Sequence, residues 1–433
     1  MIKNLAKKII TPGLWFLAKL IVKKYQPKIV GVTGSVGKTG TKDAIALVLA
    51  SNHNIRASAK SYNSEVGIPL TIIGAKSPWT NPLGWLKVFY QAFKVLLTKQ
   101  DYPAWLVLEV GADRPGDIKK VASQLKFDIA VLTKLPDLPV HVEFFPNTEA
   151  VVEEKLVLAK AVSETGIIIL NADDEKQLAH RQELVGKVIT YGLSESDVHG
   201  GNINLNYEGE GEGRKLLGLT FKLEYESSSL PVRLAGLVGK HQVYPVLAAA
   251  AVALQSGVNL IQVGEALSRL ESPPGRLRLL PGIKKTLILD DTYNASPAAL
   301  SAGLAAMREI EVLGRKWVVI GDMLELGDHT IEAHKEAGRE ASQVAETILT
   351  VGIRSRFVAE GAKEKGFSLK KIHHFHDAAE VGIYLQKNIK AGDLIYLKGS
   401  QRMRLEKAVE EIMQEPEKKA TLLCRQEEEW QKR

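Results

Sequence analysis

The sequence predicts an α/β protein: a parallel-sheet domain of the phosphate-loop (P-loop) type, followed by a Rossmann-like C-terminal α/β domain. Three observations carry this. Short apolar runs alternate with helical patterns along the chain, as expected of a mostly parallel sheet wrapped by helices. A glycine-rich loop, Gly34-Ser35-Val36-Gly37-Lys38-Thr39, falls between an apolar run and a helical stretch. After the turn-forming cluster Ser272-Pro273-Pro274-Gly275 the alternation begins afresh.

Taken in order, residues 1–28 form a basic, apolar leader. Thr11-Pro12-Gly13 is expected to divide it into two short helices. Two readings stay open for it: an amphipathic segment lying on an anionic membrane surface, or a helix packed on its own domain. No small-residue cleavage site follows, which argues against a signal peptide. Residues 28–33 (KIVGVT) read as a strand and 42–50 as a helix. Further strands are expected at 105–110, 129–133 and 167–170. Between them, 83–97 reads as a helix with Lys87, Gln91 and Lys94 on one narrow face and an unusually wide apolar arc, either buried or a second membrane-surface element. Residues 200–235 change to Gly, Asn and Glu, then alternate at 217–225 as hairpin strands do. A helix is expected over 243–256. Past the proline pair, strands are expected at 286–289, 317–320, 346–351 and 394–397. The expected division is therefore a leader (1–28), a central domain (29–274) and a C-terminal domain (275–433).

Composition narrows the class. Of 433 residues, 45% are hydrophobic and 25% charged, the balance of an ordinary globular chain. No run reaches the ~20 apolar residues a spanning helix needs. A single cysteine, Cys424, excludes an intrachain disulfide and a cysteine-cluster zinc site. The net charge is +7, and no acidic residue precedes Asp43, whereas Lys3, Lys7, Lys8, Lys19, Lys23, Lys24 and Lys28 do. The remainder is close to neutral, which argues against nucleic acid as a partner. A cytoplasmic location and a monomeric state are expected, with membrane association through residues 1–28 as the open alternative.

The loop at 34–39 carries the strongest chemistry. Backbone amides of such a loop cradle phosphate oxygens, Lys38 would reach the terminal phosphates, and the Thr39 hydroxyl would bind Mg²⁺. The loop departs from the common spacing, since the first glycine of that pattern would fall at Val32. Glu109 closes an apolar run and is placed to supply a carboxylate to the metal.

The segments GVTGSVGKTGTKDAI, YNSEVGIPLT, VLEVGADRPGDI, HVEFFPNTEAVVEEK and LNADDE, followed by DDTYNASPAAL, GDMLELGDHTIEAH and LKGSQRMRLEKAV, occur in an order and spacing that resembles the Mur ligase family. The resemblance spans residues 29 to 410. It implies an ATP-dependent ligase that forms an amide bond through an acyl phosphate, with ATP and Mg²⁺ as cofactors. The last three segments further imply a muramoyl-peptide acceptor and D-alanyl-D-alanine as substrates. Related ligases with another acceptor, and a membrane-surface nucleotide-binding protein without catalysis, are the alternatives.

Residue by residue, the resemblance implies that Gly34, Ser35, Gly37, Lys38 and Thr39 hold the nucleotide, with Asp291 and Asn294 contacting it from the second domain. Thr39, Glu109 and His141 match metal-ligand positions. Lys155 falls where the family carries a carbamylated lysine, a fourth ligand and catalytic group. Arg276, with Lys38, Lys155 and His141, completes the implied catalytic set. On the residues alone, Lys155 reads otherwise: a lysine on an acidic helix, paired with Glu153 or Glu154. Asp322, Glu325, Lys398, Ser400 and Arg402 lie in segments implied to face the incoming amine. His241 fits a further family segment only in part, since Gln242 and Pro245 replace two asparagines. The family also carries a UDP-binding domain ahead of the loop, for which 30 residues give no room.

Overall fold

A computed structural model describes residues 2–59, 62–79, 81–139, 142–209, 214–427 and 430, with backbone alone for residues 2–9. The chain opens with α1 (Ile2–Tyr25), β1 (Lys28–Thr33), α2 (Lys38–Leu49), β2 (Ile55–Ala57), α3 (Gly67–Ile73) and α4 (Pro82–Leu97). Next come β3 (Trp105–Glu109), α5 (Asp117–Ala122), β4 (Ile129–Leu132), α6 (Thr148–Lys160), β5 (Ile167–Asn171), α7 (Glu175–Ala179) and β6 (Lys187–Gly192). Three long strands follow, β7 (Val198–Glu208), β8 (Lys215–Tyr225) and β9 (Ser228–Ala235), and then α8 (Val243–Gln255) and α9 (Leu260–Leu267).

These strands form one sheet in the order β2-β3-β1-β4-β5-β6-β7-β8-β9. It is parallel through β7 and antiparallel at β7-β8 and β8-β9. The runs KIVGVT and WLVLE are unbroken apolar stretches because helices cover both faces. On one face Val30, Val32, Val107 and Val131 meet α2 and α8; on the other Ile29, Leu106, Leu108 and Leu132 meet α1, α3 and α6.

Beyond the proline pair the elements are β10 (Arg278–Gly282), β11 (Thr286–Asp291), α10 (Pro297–Glu309), β12 (Lys316–Gly321), α11 (Thr330–Ala341), β13 (Thr347–Val351) and α12 (Phe357–Glu364). They end with β14 (Ile372–Phe375), α13 (Ala378–Asn388), β15 (Leu394–Lys398), α14 (Glu406–Ile412) and α15 (Lys419–Leu422). The second sheet runs β10-β11-β15-β12-β13-β14, parallel except for β10. Because β15 inserts between β11 and β12, the carboxyl ends of those three strands open a crevice, the usual ligand position in such sheets.

The leader departs from expectation. Thr11-Pro12-Gly13 does not divide it, and α1 continues through Pro12. An interior proline costs roughly 3 kcal/mol. Leu14, Trp15, Leu17 and Ile21 are buried beneath α3 and α4, each contributing about 1.5 to 3 kcal/mol, which outweighs it. At Gly13 a β-carbon would lie 3.2 Å from the Phe89 ring, so glycine permits the close approach of α4. Lys24 then donates to the carbonyls of Val95, Leu96 and Thr98 at 3.1, 2.8 and 2.8 Å, closing the C-terminus of α4 with a cation. The apolar face of residues 14–21 therefore packs on its own domain.

Candidate functional site

β1 lies at the centre of the first sheet, flanked by β3 and β4, so the segments leaving these strands converge at one edge. The loop from β1 turns sharply into α2, with Gly34 at φ +136° and Gly37 at φ +92°. At Gly34 a β-carbon would fall 2.1 Å from the Thr133 hydroxyl and 2.8 Å from its carbonyl, so only glycine fits against the end of β4. The amides of Ser35 and Val36 donate to the Lys134 carbonyl at 3.1 and 3.3 Å, fixing the loop's path. No side chain caps α2, so its first-turn amides point outward at the positive end of the helix dipole. Lys38 folds back over the loop, donating to the carbonyls of Gly34 and Ser35 at 2.9 and 3.2 Å. Burial lowers its pKa; the Glu109 carboxylate opposes that shift and Arg276 adds to it. The Thr33 and Thr133 hydroxyls beside the loop are buried with no hydrogen-bond partner among the described residues, polar atoms an anionic ligand can satisfy.

The Thr39 hydroxyl donates to Glu109 Oε2 at 3.0 Å, and Asn63 donates to Oε1 at 3.3 Å. The Glu109 amide donates to the Ser58 hydroxyl at 3.2 Å. Glu109 is buried, held by these neutral groups. A hydroxyl and a carboxylate at this separation fit one Mg²⁺ ion, which is usually bound by one or two protein oxygens with phosphate and water completing the shell. Asn63 and Ser58 escaped the sequence reading; the only signal was the place of Asn63 within YNSEVG.

Lys155 is 3% exposed on α6. Among the described residues neither neighbouring glutamate forms a contact ion pair with it, although the Glu154 charge opposes the lowering of its pKa. Glu153 pairs with Lys160 at 3.2 Å, and Glu154 accepts from the Gly116 and Ile118 amides at 2.7 Å each, anchoring the start of α5. Lys155 instead donates to the Ala112 carbonyl at 3.2 Å. Burial, reinforced by the charge of Lys38, pulls its pKa down to about 7. The surface salt bridge expected on the residues alone is therefore absent, because the helix turns Lys155 inward. His141 lies outside the described residues.

The second sheet brings its own edge to face this one. Asp291, at the end of β11, accepts from Lys398 Nζ at 2.6 Å, from the Tyr396 hydroxyl at 3.2 Å and from the Leu277 amide at 3.2 Å. Lys398 also donates to the Asn294 carbonyl at 3.0 Å, and its pKa is lowered by burial against the pull of Asp291. Arg276 stacks on Tyr293, its guanidinium 4.2 Å from the ring centre, and its carbonyl accepts from Gln242 at 3.1 Å. His241 sits among the same charges, its pKa pushed down to about 4 by burial. Pro245 packs on the start of α2, its ring 3.7 Å from a β-carbon at Gly40. Asp322 lies just past β12 and accepts from the Ser355 amide at 2.7 Å; Ser400 accepts from the Leu324 amide at 2.9 Å. Glu325 follows at φ +65°. Arg402 is exposed. Gly327 of this loop touches Glu143, a β-carbon there falling 3.2 Å from that of Glu143, so the two halves meet around the site.

Comparison with known proteins extends this geometry. Residues 32–253 match the Mur ligase middle domain, and residues 275–401 match the Mur ligase, glutamate ligase domain. The chain belongs to the Mur ligase family. Among relatives, the UDP-N-acetylmuramoyl-tripeptide–D-alanyl-D-alanine ligase of Bacillus subtilis is 29% identical over 402 residues, covering 92% of this chain and 79% of that protein. The enzyme of that name from Mycobacterium tuberculosis is 32% identical over 354 residues, covering 80% of this chain but 60% of that protein. The crystal structure of the MurF ligase from Thermotoga maritima in complex with ADP superposes with a TM-score of 0.77 at 27% identity, covering 95% of this chain and 85% of that one. As a Mur ligase, the chain has the two-sheet α/β architecture its sequence predicts.

Proposed function

We propose that this Mur ligase is an ATP-dependent, ADP-forming peptide ligase that joins D-alanyl-D-alanine to a UDP-N-acetylmuramoyl tripeptide. The observation that carries the reading is the meeting of Thr39 and Glu109 at 3.0 Å beside the uncapped start of α2, with Lys38 folded on the same loop. Those groups suit a metal-bound triphosphate, and the relatives' shared name supplies the substrates.

A carboxylate does not condense with an amine in water without activation. In the reaction proposed, an acceptor carboxylate oxygen attacks the γ-phosphorus and the bond to ADP breaks, giving an acyl phosphate. The amine of D-alanyl-D-alanine then attacks the acyl carbon, phosphate leaves with the bonding pair, and the nitrogen gives up its proton. Lys38 and the first-turn amides of α2 offset the charge on the transferring group. Thr39 and Glu109 would hold Mg²⁺, which when bound screens the triphosphate. Lys155, with its pKa lowered to about 7, is neutral in a large fraction of molecules near neutral pH; that amine can add carbon dioxide with release of a proton to solvent, and the carbamate would be an anionic oxygen ligand for a hard cation. Arg276 and Asp291 border the nucleotide from the hinge side. Closure of the second domain over the first keeps water from the acyl phosphate.

The test is ADP release by the purified chain with ATP and Mg²⁺. Release that requires both UDP-muramoyl tripeptide and D-alanyl-D-alanine supports the reading. Release when L-glutamate replaces D-alanyl-D-alanine assigns another amine substrate, and release with neither substrate overturns the ligase assignment.

A further inference from the structure

The fold leaves one face of α4 uncovered. Val88, Ala92 and Val95 point into the core, and Gln91 donates to the Gly74 carbonyl on one flank. Opposite them, Leu83, Leu86, Tyr90, Phe93 and Leu97 recur at alternating three- and four-residue steps and are exposed, from 50% at Phe93 to 82% at Leu97. That spacing sets them in a single stripe along the 16-residue helix. On α1, which packs alongside, Phe16 and Leu20 are exposed as well, and Trp79 is exposed just ahead of α4. Isolated exposed apolar side chains are common, but a continuous stripe marks an interaction surface.

Charge identifies the partner. Lys87 and Lys94 border the stripe, and Lys19 and Lys23 stand on the exposed side of α1. Lys76 and Lys99 are exposed at the two ends of the segment. The three helices that pack together here, α1, α3 and α4, contain no acidic residue, and none occurs between Val66 and Gln100. A second copy pairing face to face would set lysine against lysine. An anionic bilayer meets both features: acyl chains receive the stripe while headgroups receive the lysines. Among the described residues no helix is long and apolar enough to cross a membrane.

We propose that this face docks the protein on an anionic lipid bilayer, with α4 lying along the surface. The contact thereby differs from the one expected of residues 1–28: among its described side chains α1 buries Leu14, Trp15, Leu17 and Ile21 and presents Phe16, Leu20, Lys19 and Lys23. The proposal does not rest on the ligase reading, since none of these side chains lies at the nucleotide edge.

The experiment is flotation of the full chain with vesicles of mixed phosphatidylglycerol and phosphatidylcholine, and with phosphatidylcholine alone. The chain is expected to float with the anionic vesicles only, and to be released at about 0.5 M salt, where charges more than a few ångströms apart are screened. Lys87→Glu with Lys94→Glu is expected to lower partitioning roughly tenfold or more. Leu86→Ser, Tyr90→Ser and Leu97→Ser together are expected to abolish it. Because these positions are exposed, both variants should keep the wild-type unfolding midpoint, which confirms that lost binding is not lost folding. Equal flotation of wild type and either variant, or no flotation of the wild type, overturns the proposal. So does a dimer in light scattering that the serine variant converts to monomer, which would assign the stripe to a second copy.

Discussion

At the scale of single residues, the site turns on charges taken out of water. Lys155 has its pKa lowered from 10.5 to about 7. Between those values the unfolded chain holds a proton that the native chain has lost, so native stability rises with pH across this window. From pH 7 to 9 in carbonate-free buffer the gain from this group is up to about 2 kcal/mol. Urea midpoints should show that gain in the wild type, and Lys155→Met should flatten it; equal slopes would remove the buried-amine account. Carbon-13 bicarbonate should also yield a carbamate resonance in the wild type and none in Lys155→Met. Glu109 makes the complementary case. Glu109→Gln keeps one accepting oxygen, and its amide nitrogen can donate to the Thr39 hydroxyl oxygen or to the Asn63 carbonyl oxygen once that amide turns over, so its unfolding midpoint should barely move. Without the carboxylate, ADP release should fall by about 100-fold or more, a deficit that added Mg²⁺ restores only in part. The inward turn of Lys155 was illegible in the sequence. TEAVVEEKLVLAK reads as an acidic surface helix until the Glu154 carboxylate is seen to bind the α5 amides, which leaves Lys155 to face the interior.

At the scale of elements, backbone geometry separates two glycines of one loop. Gly34 has both a positive φ and no room, whereas Gly37 has a positive φ but its nearest neighbour would stand 3.9 Å away. Gly37→Ala is expected to cost about 1 to 2 kcal/mol, the strain alone. Gly34→Ala should cost about 3 kcal/mol or more, because the Thr133 carbonyl as well as its hydroxyl blocks the β-carbon. Denaturant melts of the two variants decide this, and equal losses would contradict the packing argument. The central strands of both sheets were legible for a related reason: buried on both faces, β1, β3, β4 and β12 carry unbroken apolar runs. The edge strands β2 and β14 were not, since IRA and IHHF are half-exposed and carry polar side chains. β8 declared itself by alternation, whereas β7 (VHGGNINLNYE) is broken by glycines and asparagines and takes its place through pairing with β8. The proline in α1 misled because tertiary burial of Leu14, Leu17 and Ile21 overrode a local rule.

At the scale of the whole molecule, the two sheets present their carboxyl edges to each other, and different contacts hold that arrangement with unequal strength. Lys240–Glu309 at 2.9 Å and Arg214–Glu311 at 2.6 Å link the halves across solvent, and exposed pairs of this kind contribute about 0 to 1 kcal/mol. The buried pair of Asp291 with Lys398 is different. Asp291 also accepts the Leu277 amide, one residue past Arg276, so one carboxylate ties the hinge segment, β11 and β15 together. Asp291→Asn strands the Lys398 ammonium in the interior and should cost about 3 to 5 kcal/mol. Combining Asp291→Asn with Lys398→Met removes both charges yet leaves a side-chain oxygen to accept the Leu277 amide, and should recover most of that loss, whereas Glu309→Ala should leave stability within about 1 kcal/mol of wild type. Recovered stability need not bring recovered activity. If the carboxylate also borders the nucleotide, the double variant melts like the wild type yet releases ADP far more slowly. If the pair only sets the angle between domains, the stable double variant regains turnover along with its midpoint. Measuring unfolding and ADP release on the same three proteins therefore separates the structural use of Asp291 from its use at the nucleotide.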